Sequence, residues 1–322
     1  EDAEKLAKEL LELYAKRHLA RGNSYLGDLS LETELRESFP HQETEDQLKA
    51  EKEILIDLEN TEPMDRVLCG DVGFGKTELA LRAALRVIAS GKQTALLSPT
   101  TILAVQHEKT FRERLMNLPV KIGLLSRLNN HTEQKKILEG LKKGEVDCLI
   151  GTHRMLSKDV VFKDLGLIII DEEQRFGVKQ KEKLKELRCE ADILSLSATP
   201  IPRTLHMILS SLRSVSLLES PPPERIPIQT FVLPHSWKMV GEAIGFELNR
   251  GGQVYFLHNR IETIEQVKKK LVKKMVSLGH REPIGILHGR MPEKDILKVM
   301  YSFRRKETKI LISNNIEAND DK

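Results

Sequence analysis

Residues 70 to 77 read "GDVGFGKT" and meet G-x-x-x-x-G-K-[ST] at every fixed position: Gly70, Gly75, Lys76 and Thr77. Gly73 adds a third glycine to the loop. Glycines let backbone N–H groups converge on phosphate oxygens, and the N-terminus of a following helix adds the positive end of its dipole. Lys76 is therefore expected on the β- and γ-phosphates of ATP, and the Thr77 hydroxyl on Mg²⁺. The context suits this chemistry, with the apolar run "RVLC" before the loop and a helical pattern after it. A chance glycine-rich turn is the competing reading.

A phosphate cradle needs an acidic metal partner at the end of a neighbouring strand. The stretch "LGLIIIDEEQ" supplies one: Asp171 would hold Mg²⁺ through its shell, and Glu172 would orient or deprotonate the attacking water. In "LSLSATPIPRT", Ser197 and Thr199 close another buried run, where the loops of an open α/β sheet meet ligand. Their hydroxyls could bond the acidic loop and sense the γ-phosphate. Either stretch alone is a common surface turn; after a complete phosphate loop they predict nucleotide hydrolysis.

The elements that must position these groups are short apolar runs separated by amphipathic stretches: "RVLC", "TALLSP", "VKIGLLS", "VDCLIGT", "LGLIIIDEE" and "DILSLSATP". Such runs read as strands of a parallel sheet covered on both faces, which makes this an α/β domain. Helices are expected at residues 3–20 and from Glu45 to about Leu58. The proline-rich "LESPPPERIP" reads as a linker. Alternation then resumes with "PIQTFVL", "GGQVYFLH", "PIGILHG" and "TKILIS", interleaved with helical stretches. The expected organisation is a helical connector (1–38), a first lobe (39–217), a linker (218–227) and an incomplete second lobe (228–322). The lysines of "KKKLVKK" accompany apolar residues at helical spacing and read as a solvated helix face.

Composition narrows the class. A chain of 322 residues, 40% hydrophobic and 31% charged, has room for about two ordinary cores. A net charge of +3 permits a local nucleic-acid groove without demanding one. Cys69, Cys148 and Cys189 lack metal or disulfide spacing, so buried, reduced thiols in a cytoplasmic protein are expected. No run approaches eighteen apolar residues, so no membrane-spanning helix is expected. The charged, amphipathic start suggests a piece of a longer protein.

In order, "GDVGFGKT", "SPTT", "GTHRML", "DEEQRFGV" and "SATPIPRT" resemble superfamily 2 helicases and translocases. More narrowly, "FPHQETEDQ", "KDLGLIIIDEEQRFGVKQKEK" and "GGQVYFLHNRIETI" resemble the bacterial transcription-repair coupling factor family, over nearly the whole chain. The related RecG type shares "PIPRT" and a similar loop but usually has serine where Phe74 stands. The resemblance implies two RecA-like parallel-sheet lobes and an ATP-dependent motor that tracks double-stranded DNA. It also implies contacts with RNA polymerase and excision-repair proteins, through parts of the parent outside this chain.

Residue roles follow from the same resemblance. Gln47 would read adenine, with Phe39 near enough to stack on the base. Thr100, Thr101, Arg127, Gly151, Thr152, His153 and Arg154 would grip DNA phosphates from the first lobe. Asn259, His288, Gly289 and Arg290 would do so from the second. Gln174 stands where the family commonly has histidine and is expected to alter coupling at most. The family's later arginine-rich motif, which touches the γ-phosphate, lies past the end of "ISNNIEAND". Such arginines raise phosphoryl-transfer rates by about 10³–10⁵. The expectation is therefore weak hydrolysis by this chain. The alternatives are a RecG-like helicase and a nucleotide-dependent DNA-binding piece with little turnover.

Overall fold

The computed structural model describes residues 22–177, 180, 183–184, 191–198, 213–223, 225 and 228–314. They form two compact units that divide between residues 226 and 227. The whole of the helix expected at residues 3–20, together with Cys189, Thr199 and "PIPRT", lies outside the described residues.

Among the described residues, the first unit is built on seven parallel strands: β1 (Asp65–Gly70), β2 (Gln93–Leu97), β3 (Ile122–Leu125), β4 (Cys148–Gly151), β5 (Leu165–Asp171), β6 (Asp192–Ser197) and β7 (Ser214–Leu218). Their order across the sheet is β3-β4-β2-β5-β6-β1-β7. Both faces are buried, and consecutive residues of a strand enter opposite cores. Leu96 and Ile169 pack in one cluster, while Ala95, Leu97, Ile168 and Ile170 pack in the other. This two-sided burial explains why the strands read as unbroken apolar runs rather than alternating ones.

Among the described residues, five helices accompany the sheet: α1 (Leu29–Glu37), α2 (Glu45–Glu59), α3 (Lys76–Ala89), α4 (Thr101–Arg114) and α5 (His131–Lys143). Helix α2 starts in a capping box, with Thr44 and Gln47 each bonding the other's backbone N–H. Arg82 of α3, buried, joins Glu43, Glu51 and Glu78 at 2.9, 3.0 and 3.1 Å. Arg114 of α4 also reaches Glu78, at 2.7 Å. This network ties α2, α3 and α4 into one polar seam. The described part of the expected connector packs into the same unit, since Tyr25 and Leu35 are core residues.

Strand β7 was not anticipated, because "SVSLL" directly precedes the proline-rich stretch. It pairs with β1, and Leu218, expected in the linker, is its buried last residue.

Among the described residues, the second unit has three parallel strands, β8 (Val254–Leu257), β9 (Ile284–Leu287) and β10 (Ile310–Ser313), in the order β8-β10-β9. Helices α6 (Trp237–Asn249), α7 (Ile264–Ser277) and α8 (Glu293–Arg304) complete it. The lysine-rich α7 buries Ile264, Val267, Leu271 and Met275 and exposes most of its lysines, as its spacing predicts. The run "PIQTFVL" forms no strand among the described residues. No described strand lies beside it to take its backbone bonds, and Ile228, Phe231 and Val232 are exposed. Among the described residues, no helix is long and apolar enough to cross a membrane.

Candidate functional site

The loop between β1 and α3 is bent by two residues that only glycine occupies without strain: Gly73 (φ 83°) and Gly75 (φ 80°). Gly75 is the residue before α3, so the backbone N–H groups that begin this helix open onto the loop. Lys76 folds back over it, its Nζ donating to the carbonyls of Gly70 (2.7 Å) and Asp71 (3.0 Å). Burial pushes the Lys76 ammonium below its usual range, against the opposing pull of Asp171, Glu172 and Asp71. Thr77, half-buried, follows in the first turn.

Gln47 braces this loop from below. Its Nε2 donates to the Phe74 carbonyl at 3.0 Å, while its Oε1 accepts from the Thr44 N–H at 2.9 Å. Arg225 closes the outer side: it pairs with Asp71 at 2.9 Å, and its guanidinium lies 4.9 Å from the centre of the Phe74 ring. Bonds from the Val72 N–H and Arg225 hold the exposed Asp71 carboxyl below its usual range. Asp46, at the start of α2, accepts from the backbone N–H groups of Glu219 and Ser220. Phe39 meets the guanidinium groups of Arg82 and Arg114, at 5.2 and 5.4 Å.

Strand register brings the acidic groups to the same edge. β6 lies between β5 and β1, with Leu196 opposite both Asp171 and Leu68, and Ser197 opposite Cys69. Asp171, Ser197 and Gly70 thus leave the sheet within two strand spacings, about 10 Å. Asp171 is buried, and its Oδ2 accepts from His107 Nε2 on α4 at 2.8 Å.

Glu172 adopts a left-handed conformation (φ 51°, ψ 54°), which costs a non-glycine residue about 1–2 kcal/mol. Three contacts hold it there. Its N–H donates to the Leu196 carbonyl (3.0 Å), and its carboxylate accepts from the Ala198 N–H (3.0 Å) and from Gln174 Nε2. The carboxylate expected to act on water is therefore wired to the loop after β6. The neighbouring Glu173 takes a different partner set, Ser195 and Arg213.

The oxygen donors here, the Thr77 hydroxyl and the Asp171 carboxylate, suit a small hard cation that keeps water and phosphate in its shell, as Mg²⁺ does. Among the described residues no cluster of three His, Cys, Asp or Glu could hold a metal.

The residues expected at DNA phosphates fall into three places. Thr100 caps α4 by accepting from the Leu103 N–H (3.3 Å), and Thr101 begins the helix. Gly151 ends β4 and Thr152, His153 and Arg154 follow it, where Arg127 Nη2 lies 3.2 Å from His153 Nε2. Arg154 forms a two-pronged pair with Asp159, at 2.8 and 2.6 Å, which raises its pKa further. In the second unit, Asn259 follows β8, while His288 and Arg290 follow β9. All three are near the C-terminal edge of the sheet, where Ser313 is opposite Leu257 and Leu287. Arg290 pairs with Glu262 at 3.3 Å, both exposed.

His107, Arg225 and Asp46 were not singled out from the sequence. Their partners lie 64, 154 and 173 positions away, beyond the reach of any local spacing rule.

The Helicase conserved C-terminal domain model matches residues 236–319. The chain is 50% identical over 311 residues to the transcription-repair-coupling factor of Bacillus subtilis (strain 168), covering 97% of this chain and 26% of that protein. It is 46% identical over 316 residues to that of Staphylococcus aureus (strain USA300), covering 98% and 27%. The chain thus spans about a quarter of the length of these relatives. A solved structure of RecG bound to a three-way DNA junction superposes with a TM-score of 0.72 at 32% identity, covering 95% of this chain and 42% of that one. The two parallel sheets are RecA-like, as in that helicase core. The DEAD/DEAH box helicase model matches residues 44–208, which take in β1 to β6 with the glycine loop and both acidic groups. Half of the sequence matches where the geometry converges, and the chain belongs to the DEAD/DEAH box helicase family.

Proposed function

We propose that this chain is the ATP-hydrolysing motor core of a double-stranded DNA translocase that acts in transcription-coupled repair. The observation that carries the reading is the identity of half its residues with a transcription-repair-coupling factor across 97% of its length. The site supports the ATPase part. Lys76 and the N–H groups of the loop bind the phosphates, and Thr77 and Asp171 hold Mg²⁺, which supplies charge neutralisation at the transferring phosphate when bound. Glu172, fixed by Ala198 and Gln174, orients the attacking water and accepts its proton. Closing of the two lobes on ATP, and reopening after hydrolysis, would alternate the grip on DNA.

In this reading Thr100, Thr101, Arg127, Gly151, Thr152, His153 and Arg154, with Asn259, His288 and Arg290 from the second lobe, contact the DNA backbone. Binding is then independent of sequence and sensitive to salt. Gln47 and Phe39 serve the base side of the nucleotide, Gln174 and Ser197 the coupling. Displacement of RNA polymerase and recruitment of excision-repair proteins belong to the longer protein, in the cytoplasm.

Triplex displacement by the longer protein tests the translocase. Addition of ATP should release a third strand from duplex DNA while leaving the duplex paired. Separation of the duplex strands would favour a RecG-like helicase, a reading supported by the superposition on the RecG core. Release of the third strand without ATP would refute both.

A further inference from the structure

Helix α4 carries a second feature besides its N-terminal threonines. His107, buried, directs Nε2 onto Oδ2 of Asp171, also buried, at 2.8 Å. A carboxylate at the end of a strand can rotate about its terminal torsion. The bond to His107 removes that freedom and takes one oxygen, leaving Oδ1 for a cation. The carboxylate accepts, so this nitrogen carries the proton. His107 lies six residues beyond Thr101, about 9 Å along the helix. The same rigid element therefore begins at the loop assigned to DNA phosphates and ends its second turn on the metal-holding carboxylate.

We propose that His107 is a positioning residue that orients Asp171 for the cation, and that α4 transmits engagement of DNA at Thr100 and Thr101 to the metal site through this bond. The inference rests on the ATPase reading above. Partners of this kind change metal affinity by about 10–100-fold when removed.

The test uses Mn²⁺ and ADP on the 322-residue chain, with Mn²⁺ binding read by electron paramagnetic resonance and ADP binding without metal read by calorimetry. In the unaltered chain, ADP should raise the affinity for Mn²⁺. No such rise there would sink the ATPase reading itself. Asp171→Asn should lose the rise. His107→Leu should weaken Mn²⁺ in the ADP complex by about tenfold, with metal-free ADP affinity unchanged. His107→Gln, which keeps an N–H donor, should restore most of it. Full Mn²⁺ affinity in His107→Leu, with Asp171→Asn impaired, would overturn the positioning role. Should His107→Leu fail to fold, His107→Gln and His107→Asn decide by whether metal affinity follows the reach of the donor. Addition of duplex DNA of mixed sequence should shift Mn²⁺ affinity in the unaltered chain but not in His107→Leu. An equal shift in both would overturn the part assigned to α4.

Discussion

Lys76 has two of its three ammonium donors on the carbonyls of Gly70 and Asp71. Phosphate oxygens would take over these donors with a charge-assisted bond worth about 1.5–3 kcal/mol. Lys76→Ala should therefore lower ATP affinity by about 10–100-fold in calorimetric titration; unchanged binding would refute the assignment. The thiols give a prediction of the opposite kind. Burial pushes Cys69 up to about 11 and Cys148 to about 12, so both stay protonated at every pH below those values. Iodoacetamide near neutral pH should leave both unmodified until denaturant is added, as read by peptide mapping; labelling of either in the folded chain would contradict the packing around β1 and β4. The residues proposed for catalysis can be read in the chain, since Lys76 and Asp171 belong to local spacings. The support they receive was not, because Gln47, His107 and Arg225 act across folded distance.

At the scale of the element, the glycine loop separates two effects. Gly73 and Gly75 both have φ near +80°, but a Cβ on Gly73 would meet nothing within 4 Å. On Gly75 it would stand 2.5 Å from Gln47 Nε2, the donor to Phe74. Gly73→Ala should then cost only the conformational term, about 1–2 kcal/mol. Gly75→Ala should cost about 1 kcal/mol more, through loss of the Gln47 bond. Urea midpoints of the two variants check this, and equal midpoints would show that Gln47 does not brace the loop. The segment after β4 allows a gain. Asp159 occupies both prongs of Arg154, so Asp159→Ala should free the guanidinium for phosphate. DNA affinity should rise, and the slope of its logarithm against that of salt should steepen by about one. A flatter slope would exclude Arg154 from the interface.

At the scale of the whole molecule, each unit has its own sheet and core. The first contains the glycine loop, Asp171 and, in β7, the strand that seals the free side of β1. A chain ending at residue 226 should thus melt cooperatively and bind ATP as the longer one does. Ending it at residue 212 removes β7, and the burial of Leu218 alone is worth about 1.5–3 kcal/mol. That shorter piece should melt markedly lower by circular dichroism; an unchanged melt would mean that β7 contributes nothing. Helices with clear periods, such as α2 and α7, could be read directly, whereas β7 could not. Its five residues touch the proline-rich stretch in sequence, and only pairing with β1, far earlier in the chain, makes them a strand.

By itself the sequence determined the scaffold and the spacing of the groups proposed for the chemistry. The spacing from Gly70 to Thr77 dictates a phosphate loop, and unbroken apolar runs dictate a sheet buried on both faces. These are local properties, set by backbone conformation and by periodicity within a few residues. Tertiary structure alone decided what holds the reacting groups in place: Gln47 under the loop, His107 on Asp171, Ala198 on Glu172 and Arg225 on Asp71. Each of these bonds joins residues between 26 and 154 positions apart, and its directionality depends on strand order and helix docking. Those are properties of the packed core, which no single window of the chain contains.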